Sequence, residues 1–254
     1  MLDPTRRFSS RVEDYVRYRP RYPSDIITVL SDECSLTPQS LVVDIGSGTG
    51  FLSELFLSNG NSVIGVEPNS EMRAAGDHYL RNYPEFQSID GRAESTRLNN
   101  SSTDFVVVGQ AFHWFDHALT HREVSRILNP TGWVVLVWND RDAEVTLFGR
   151  AYEQLLLKYA ANYAQVKQRR RIDETILADF YEDGGLTLKT FQNSQDFDLE
   201  GLKGRLMSSS YTPEADDPNH QFMLSELTEI FQAYAVNHRV RVDYTTRLYY
   251  GQLR

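Results

Sequence analysis

An α/β fold built on a doubly wound, mostly parallel sheet is what this 254-residue sequence predicts. Three observations predict it. Short apolar runs at Leu41–Ile45, Ser62–Val66, 105–109 and 133–138 do not alternate with polar residues, which is the pattern of strands covered on both faces. Segments of helical periodicity stand between them. The connections are short, so the chain reads as repeated strand–helix–strand units.

The first strand, Leu41–Ile45, ends at Gly46, and Phe51–Ser58 follows with apolar residues at 51, 52, 55, 56 and 57, a helical period. Ser62–Val66 is the second strand. Ser70 and Glu71 then open a helix over 70–81, with Ser70 as a hydroxyl cap and Glu71 as an acid in the first turn. Phe86–Ile89 is a weak third strand and 105–109 a fourth. A helix over 119–128 stops at Asn129-Pro130-Thr131-Gly132, and 133–138 is the fifth strand. The second half is richer in helix. The segments 144–164, 173–183, 199–206 and 219–237 read as helices, 186–191 and 245–250 as strands, and 208–218 as a loop. These helices are expected to cover the ligand edge of the sheet while the two late strands join it. A separate helical domain is the alternative, but no Gly/Pro-rich linker divides the halves.

Composition narrows the partners. There are 26 Lys and Arg against 35 Asp and Glu, a formal charge of −9, which argues against a chain whose main task is gripping phosphate backbones. Cys34 is the one cysteine, so no intrachain disulfide can form, in keeping with a reducing compartment. No apolar run approaches the roughly 18–20 residues of a membrane span. Arg6-Arg7 resembles a twin-arginine export signal, yet no apolar stretch follows. The expectation is a cytoplasmic protein with no membrane and no nucleic-acid partner.

The strongest chemical signal is the run Val42-Val43-Asp44-Ile45-Gly46-Ser47-Gly48-Thr49-Gly50-Phe51-Leu52. A strand ends, three glycines follow at alternate positions, and a helix begins. In an open parallel sheet the ligand lies beyond the carboxyl ends of the strands at this point, and the helix start presents free N–H groups. A dinucleotide site would have G-x-G-x-x-G, but Phe51 stands where the last glycine belongs, and Asp44 is an ill-suited neighbour for a diphosphate. A cationic ligand would welcome that carboxylate. Glu67, at the end of the second strand, is placed to accept two ribose hydroxyls.

Asp44 to Gly50 (D-I-G-S-G-T-G), followed by Val63 to Asn69 (V-I-G-V-E-P-N), resembles the first two motifs of the class I S-adenosylmethionine-dependent methyltransferases. The opening Phe8 to Pro23 and the stretch Gly109-Gln110-Ala111-Phe112-His113-Trp114-Phe115 are similar to the type 11 and trans-aconitate-methyltransferase-like subset, which acts on small molecules. The resemblance implies a Rossmann-like, seven-stranded sheet with helical lid insertions in a single domain, 1–254. Residues 1–40 would be an N-terminal helical lid, 41–142 the cofactor-binding core, and 143–254 lid insertions plus the last strands. It implies S-adenosyl-L-methionine as cofactor and S-adenosyl-L-homocysteine as product. Asp44 would orient the methionine part, with Gly46, Ser47, Gly48 and Gly50 lining it. Glu67 would hold the ribose, with Pro68 and Met72 near the adenine and Ala93 and Glu94 at its edge. Arg92 stands where many relatives have an adenine-binding Asp. Gln110, Ala111, His113 and Trp114 would lie near the sulfonium and the acceptor.

The reaction so implied is in-line methyl transfer to a small-molecule carboxylate or hydroxyl, the cofactor carrying the activation. A carboxylate acceptor is already ionised and calls for an arginine clamp, for which Arg19 and Arg205 are candidates. A hydroxyl acceptor calls for a base, and His113 is the candidate catalytic residue. Tyr22 and Tyr211 are further candidate acceptor contacts. Bland readings stand beside these: Met72 and Trp114 as ordinary packing, His113 as a structural histidine, Arg19 and Tyr22 as an anchor, and Lys167, Arg169, Arg170 and Arg171 as a solvated face. No metal is expected, because 113 and 117 straddle a loop and a helix start. A cofactor-binding regulatory protein without catalysis and an NAD-dependent oxidoreductase are the competing functions.

Overall fold

The computed structural model describes residues 16–170, 174–182 and 185–253. Its seven strands are β1 (Leu41–Ile45), β2 (Ser62–Val66), β3 (Phe86–Ile89), β4 (Thr103–Gly109), β5 (Leu128–Arg141), β6 (Thr187–Phe197) and β7 (Val240–Gly251). They form one sheet in the order β3-β2-β1-β4-β5-β7-β6. The first five pair in parallel, and β7 runs antiparallel to both β5 and β6. The chain winds outward from β1 in both directions, so the carboxyl ends of β1 and β4 open a crevice between them.

Alternation along each strand sends neighbours to opposite faces. Val43, Ile45, Val106, Val108, Leu136 and Trp138 point one way. They pack on Val124 and Ile127 of α4 (His117–Ile127) and on Leu177 and Phe180 of α7 (Glu174–Tyr181). Val42, Val63, Phe105, Val107 and Val135 point the other way. They meet Ile26 and Leu30 of α1 (Asp25–Cys34), and Leu52 and Phe56 of α2 (Phe51–Ser58). Burial on both faces is why these strands are apolar throughout. The remaining helix of this half, α3 (Ser70–Tyr79), is capped by Asn69, whose Oδ1 accepts the N–H groups of Glu71 and Met72. The cap is therefore one residue earlier than Ser70.

A third core explains the second half. Tyr244 of β7 pairs with Arg141 at the end of β5, so residues 240–243 of β7 run past that strand on the ligand side of the sheet. Val240, Val242 and Tyr244 there pack with α5 (Leu147–Tyr159), α8 (Leu199–Met207) and α9 (Asn219–Tyr234) through Leu155, Leu156, Leu202, Leu206, Met223 and Leu227. The β6–β7 hairpin thus carries the late helices over the ligand edge, and both late strands belong to the common sheet.

The structure differs from the sequence reading in three places. Residues 1–15 lie outside the described residues, and α1, within the segment expected as a lid, is buried against the sheet through Ile26, Leu30 and Cys34. The Asn129–Gly132 stop bulges inside β5, since Leu128 pairs with Thr103 and Trp133 with Phe105. The helix expected over 144–164 breaks at Ala160, giving α5 and α6 (Tyr163–Arg170), because burial of Ala160 and Tyr163 in the third core turns the chain inward. Among the described residues no helix is long and apolar enough to cross a membrane.

Asn61 locks the entry to β1. It is fully buried, and its Nδ2 donates to the carbonyls of Thr37 (2.8 Å) and Ser40 (2.9 Å). Asn61→Ala would remove the side-chain donor from the Ser40 carbonyl and one of two donors from the Thr37 carbonyl, which also accepts the Ser40 N–H, and should lower stability by about 1–3 kcal/mol. A urea melt of the two proteins would read this as a lower midpoint with an unchanged slope.

Candidate active site

The turn after β1 needs its glycines. Gly46 has φ +71°, and a Cβ there would lie 2.7 Å from the Cβ of Ala111. Its N–H donates to the Val66 carbonyl at 2.8 Å, which brings the ends of β1 and β2 together. Glu67 then closes the turn. Its Oε2 accepts from the Gly48 N–H at 3.0 Å, and its Oε1 from the Asn69 N–H at 2.8 Å. The carboxylate is 9% exposed. Burial raises its pKa, opposed by these two N–H groups and by Arg73. Beneath it, Asp44 accepts the Ser53 hydroxyl at 2.7 Å. Burial first, with the Glu67 charge adding to it against that hydrogen bond, pushes the Asp44 carboxyl up to about 7.

A strap from Tyr18 to Tyr22 crosses the opening. The Arg21 guanidinium lies 3.6 Å from the ring centroid of Phe51 and 4.7 Å from that of Tyr79. The Arg21 carbonyl accepts from Asn139 (3.2 Å) and Asn193 (2.8 Å), and Arg19 Nη2 donates to the Ser208 carbonyl at 2.7 Å. The strap is thereby tied to α2, β5, β6 and the end of α8. The Tyr22 hydroxyl lies 2.6 Å from where a Cβ of Gly109 would stand, so any side chain at that strand end would have to displace the Tyr22 ring.

Under the strap lies one cavity of about 1260 Å³. Its sheet-side wall holds Gly46, Gly48, Glu67, Pro68 and Met72, then Ala93 and Glu94, then Gln110, Ala111 and Trp114. Arg92 joins Ala93 and Glu94, while Glu94 Oε1 accepts from the Asp116 N–H at 2.9 Å and so supports the start of α4. The lid-side wall holds Arg19, Tyr22, Arg205 and Tyr211. Fourteen of the candidate cofactor and acceptor residues, together with Arg92, therefore meet around one space. Asp44, Ser47 and Gly50 are not on its wall and act from behind it. Gly50, at φ +86°, begins α2, and Ser47 Oγ packs beside Gly65.

His113 lies beside this wall rather than on it. It belongs to a single 3-10 turn, Phe112–Trp114, with its ring 4.8 Å from that of Trp114 and both ring nitrogens enclosed. It is not among the residues that line the cavity, although its neighbours Ala111 and Trp114 are. His117 turns elsewhere, stacking on Phe112 with Nε2 3.2 Å from that residue's carbonyl. Among the described residues no group of three His, Cys, Asp or Glu could hold a metal. The run at 167–171 is resolved at Lys167, which donates to Glu153 at 2.6 Å; the side chains of 169–171 lie outside the described residues.

Several wall residues escaped the sequence reading. Arg141, at the end of β5, pairs through Nη2 with Glu153 and donates to the Tyr163 hydroxyl at 2.7 Å. Burial pushes the Glu153 carboxyl up, but Lys167, Tyr163 and Arg141 together hold it below the ordinary range. Tyr244 and Asn139 also line the space. A charged residue inside an otherwise apolar helix face, Glu153 among Tyr152, Leu155 and Leu156, was the one available hint.

One buried acid on the wall of this space, Glu67, with a second, Asp44, behind it, fits a cationic nucleoside ligand, and the comparisons agree. The family model described as a methyltransferase domain matches residues 43–136. An uncharacterized methyltransferase of Schizosaccharomyces pombe is 29% identical over 231 residues, covering 89% of this chain and 88% of that one. Residues 43–136 of the chain carry a methyltransferase domain, and the relatives support S-adenosylmethionine-dependent methyl transfer. Another relative, an uncharacterized methyltransferase of Mycobacterium tuberculosis, is 38% identical over 140 residues, 55% of each chain, so that match spans about half the relative's length. Two solved structures share the methyltransferase fold. A protein of Anaeromyxobacter dehalogenans, provisionally described as a type II methyltransferase, has TM-score 0.67 at 18% identity, covering 92% of this chain and 98% of that one. Phosphoethanolamine N-methyltransferase 2 of Haemonchus contortus, solved with phosphomonomethylethanolamine and S-adenosylhomocysteine, has TM-score 0.57 at 14% identity, covering 96% of this chain and 57% of that one. The cofactor of this methyltransferase is S-adenosylmethionine, which sets aside the oxidoreductase and non-catalytic readings.

Asp44 gives a pH signature. A carboxyl whose folded pKa is raised binds its proton more tightly folded than unfolded. Its contribution to stability is full below the unfolded value of 3.8 and is lost as pH rises to about 7. The ligand-free methyltransferase should therefore lose stability between about pH 4 and 7, and Asp44→Asn should flatten that slope. Chemical denaturation at several pH values reads the difference.

Proposed function

We propose that this methyltransferase alkylates a carboxylate or hydroxyl oxygen of a small-molecule acceptor held between the strap and the late helices. The observation that carries this is the single space running from Glu67 and the glycine turn to Arg205 and Tyr211. At about 1260 Å³ it exceeds the roughly 300–1,000 Å³ of an ordinary ligand pocket, which leaves room for cofactor and acceptor together. The strap and the lid helices enclose the acceptor end, a shape suited to a small compound rather than a nucleic-acid strand, in line with the acidic balance of the chain. A cytoplasmic setting belongs to the same proposal.

The residues would divide the work as follows. Bound S-adenosylmethionine supplies an electrophilic methyl group on a positively charged sulfur. Glu67, with one oxygen on the Gly48 N–H and the other on the Asn69 N–H, keeps further lone pairs for two ribose hydroxyls. The pyramid of Gly46, Gly48 and Ala111 leaves backbone-level clearance for the methionine part. Pro68, Met72, Ala93 and Glu94 flank the base, with Arg92 beside them. Asp44 and Glu67 burden each other with like charge when the site lacks a cation, so a sulfonium nearby relieves them. Gln110, Trp114 and Tyr22 bound the space where acceptor and methyl group would meet. With His113 off the wall, an acceptor that is already ionised suits this site better than one needing a histidine base.

Glu67→Ala should weaken S-adenosylhomocysteine binding by about 1–3 kcal/mol, since two neutral-to-charged hydrogen bonds are lost. Calorimetric titration measures this directly. Unchanged affinity would remove Glu67 from the ribose. Absence of binding by the unaltered protein would overturn the cofactor assignment to this cavity.

A further inference from the structure

The lid side of the cavity contains a buried cation without a counter-ion. Arg205 is 8% exposed, yet the carboxylates paired with arginine or lysine among the described residues do not include a partner for it. Its hydrogen bonds go only to neutral hydroxyls. Nε donates to Tyr244 at 3.1 Å, and Nη1 to Ser209 at 3.3 Å. Nη2 makes none, and the side chain lines the cavity. A guanidinium stays charged at any physiological pH. Removing it from water with only neutral partners is costly, and proteins rarely retain such a group without use.

The surrounding charges say what would complete it. The neighbouring cation, Arg141, is already neutralised by Glu153, which Lys167 and Tyr163 also hold. Asp140 is paired with Arg247, and Asp142 accepts from Thr245 at 2.9 Å. Arg205 therefore keeps its positive charge with no carboxylate paired to it among the described residues, set among the phenols of Tyr152, Tyr211 and Tyr244. One charge suits a monoanion better than a phosphate dianion. A planar guanidinium matches the two oxygens of a carboxylate.

We propose that Arg205 is the acceptor-recognition residue, receiving a carboxylate of the substrate through Nη2, with the Tyr211 and Tyr244 hydroxyls beside it. This rests on the reading of the cavity as a cofactor and acceptor site, and narrows the acceptor to a small carboxylic acid. The ligand-free protein carries the cost of the isolated charge, and the acid removes it on binding.

The test uses the full chain with saturating S-adenosylhomocysteine. Acetate, succinate, citrate and benzoate at millimolar concentration are compared with acetamide, succinamide, citramide and benzamide by thermal unfolding, with inorganic phosphate as a further arm. At least one acid should raise Tm by roughly 2–4 °C while its amide does not. Arg205→Met should abolish that rise, keep S-adenosylhomocysteine affinity, and leave the Tm of the acid-free protein equal or higher, which a purely structural arginine would not do. Arg205→Lys, which keeps charge but not the fork, should retain only part of the rise. Equal shifts with acids and amides, no shift with any acid, or a shift that survives in Arg205→Met overturns the proposal. A rise with phosphate alone overturns the carboxylate assignment. Should Arg205→Met fail to fold, the acid-against-amide comparison on the unaltered protein still decides. Retained S-adenosylhomocysteine binding without an acid effect sinks this inference alone, whereas lost cofactor binding sinks the reading beneath it.

Discussion

The carboxylate of Glu67 is the junction on which the site depends. Its two oxygens join the Gly48 and Asn69 N–H groups, so one side chain fixes the turn leaving β1 and the start of α3 at once. Both N–H groups lie at chain reversals where no sheet or helix partner is available, and an acid is the natural acceptor for two such donors. The cost is burial of a negative charge close to a second one on Asp44. That cost is sensible only where a cation is to be received, which links the architecture of the turn to the chemistry of the family.

The opposite wall is built on the same logic with the sign reversed. The overhang of β7 beyond β5 carries α5, α8 and α9 above the crevice, and Tyr244 of that overhang receives Arg205 of α8. The strap locks the two walls together: Arg21 stacks on Phe51, and Arg19 bonds to Ser208 at the end of α8. Phe51 thus has a positive role. The bulky residue that breaks a dinucleotide pattern supplies the ring on which the strap rests.

Much of the fold was legible in the sequence. The uninterrupted apolar runs at 41–45, 62–66, 105–109 and 133–138 announced parallel strands buried on both faces, and all four are interior strands of the sheet. Boundaries were less legible where tertiary contacts override local signals. Asn129-Pro130-Thr131-Gly132 reads as a stop, but flanking pairs at Leu128 and Trp133 keep it within β5 as a bulge. Helix periodicity continues through Ala160, but burial of Tyr163 beside Glu153 bends the chain there.

Local pattern by itself determined the sheet, the glycine turn and the acid that closes it, because these depend on strand covering, positive φ and the reach of a single side chain from a strand end. Only the tertiary structure decided the lid-side wall of the cavity. Arg205, Tyr244, Arg141 and Glu153 come from four separate elements, and their meeting depends on how far β7 projects past β5, a length with no local signature. The same holds for His113: its neighbours Ala111 and Trp114 line the cavity while it does not, a difference within one 3-10 turn that the sequence does not encode locally.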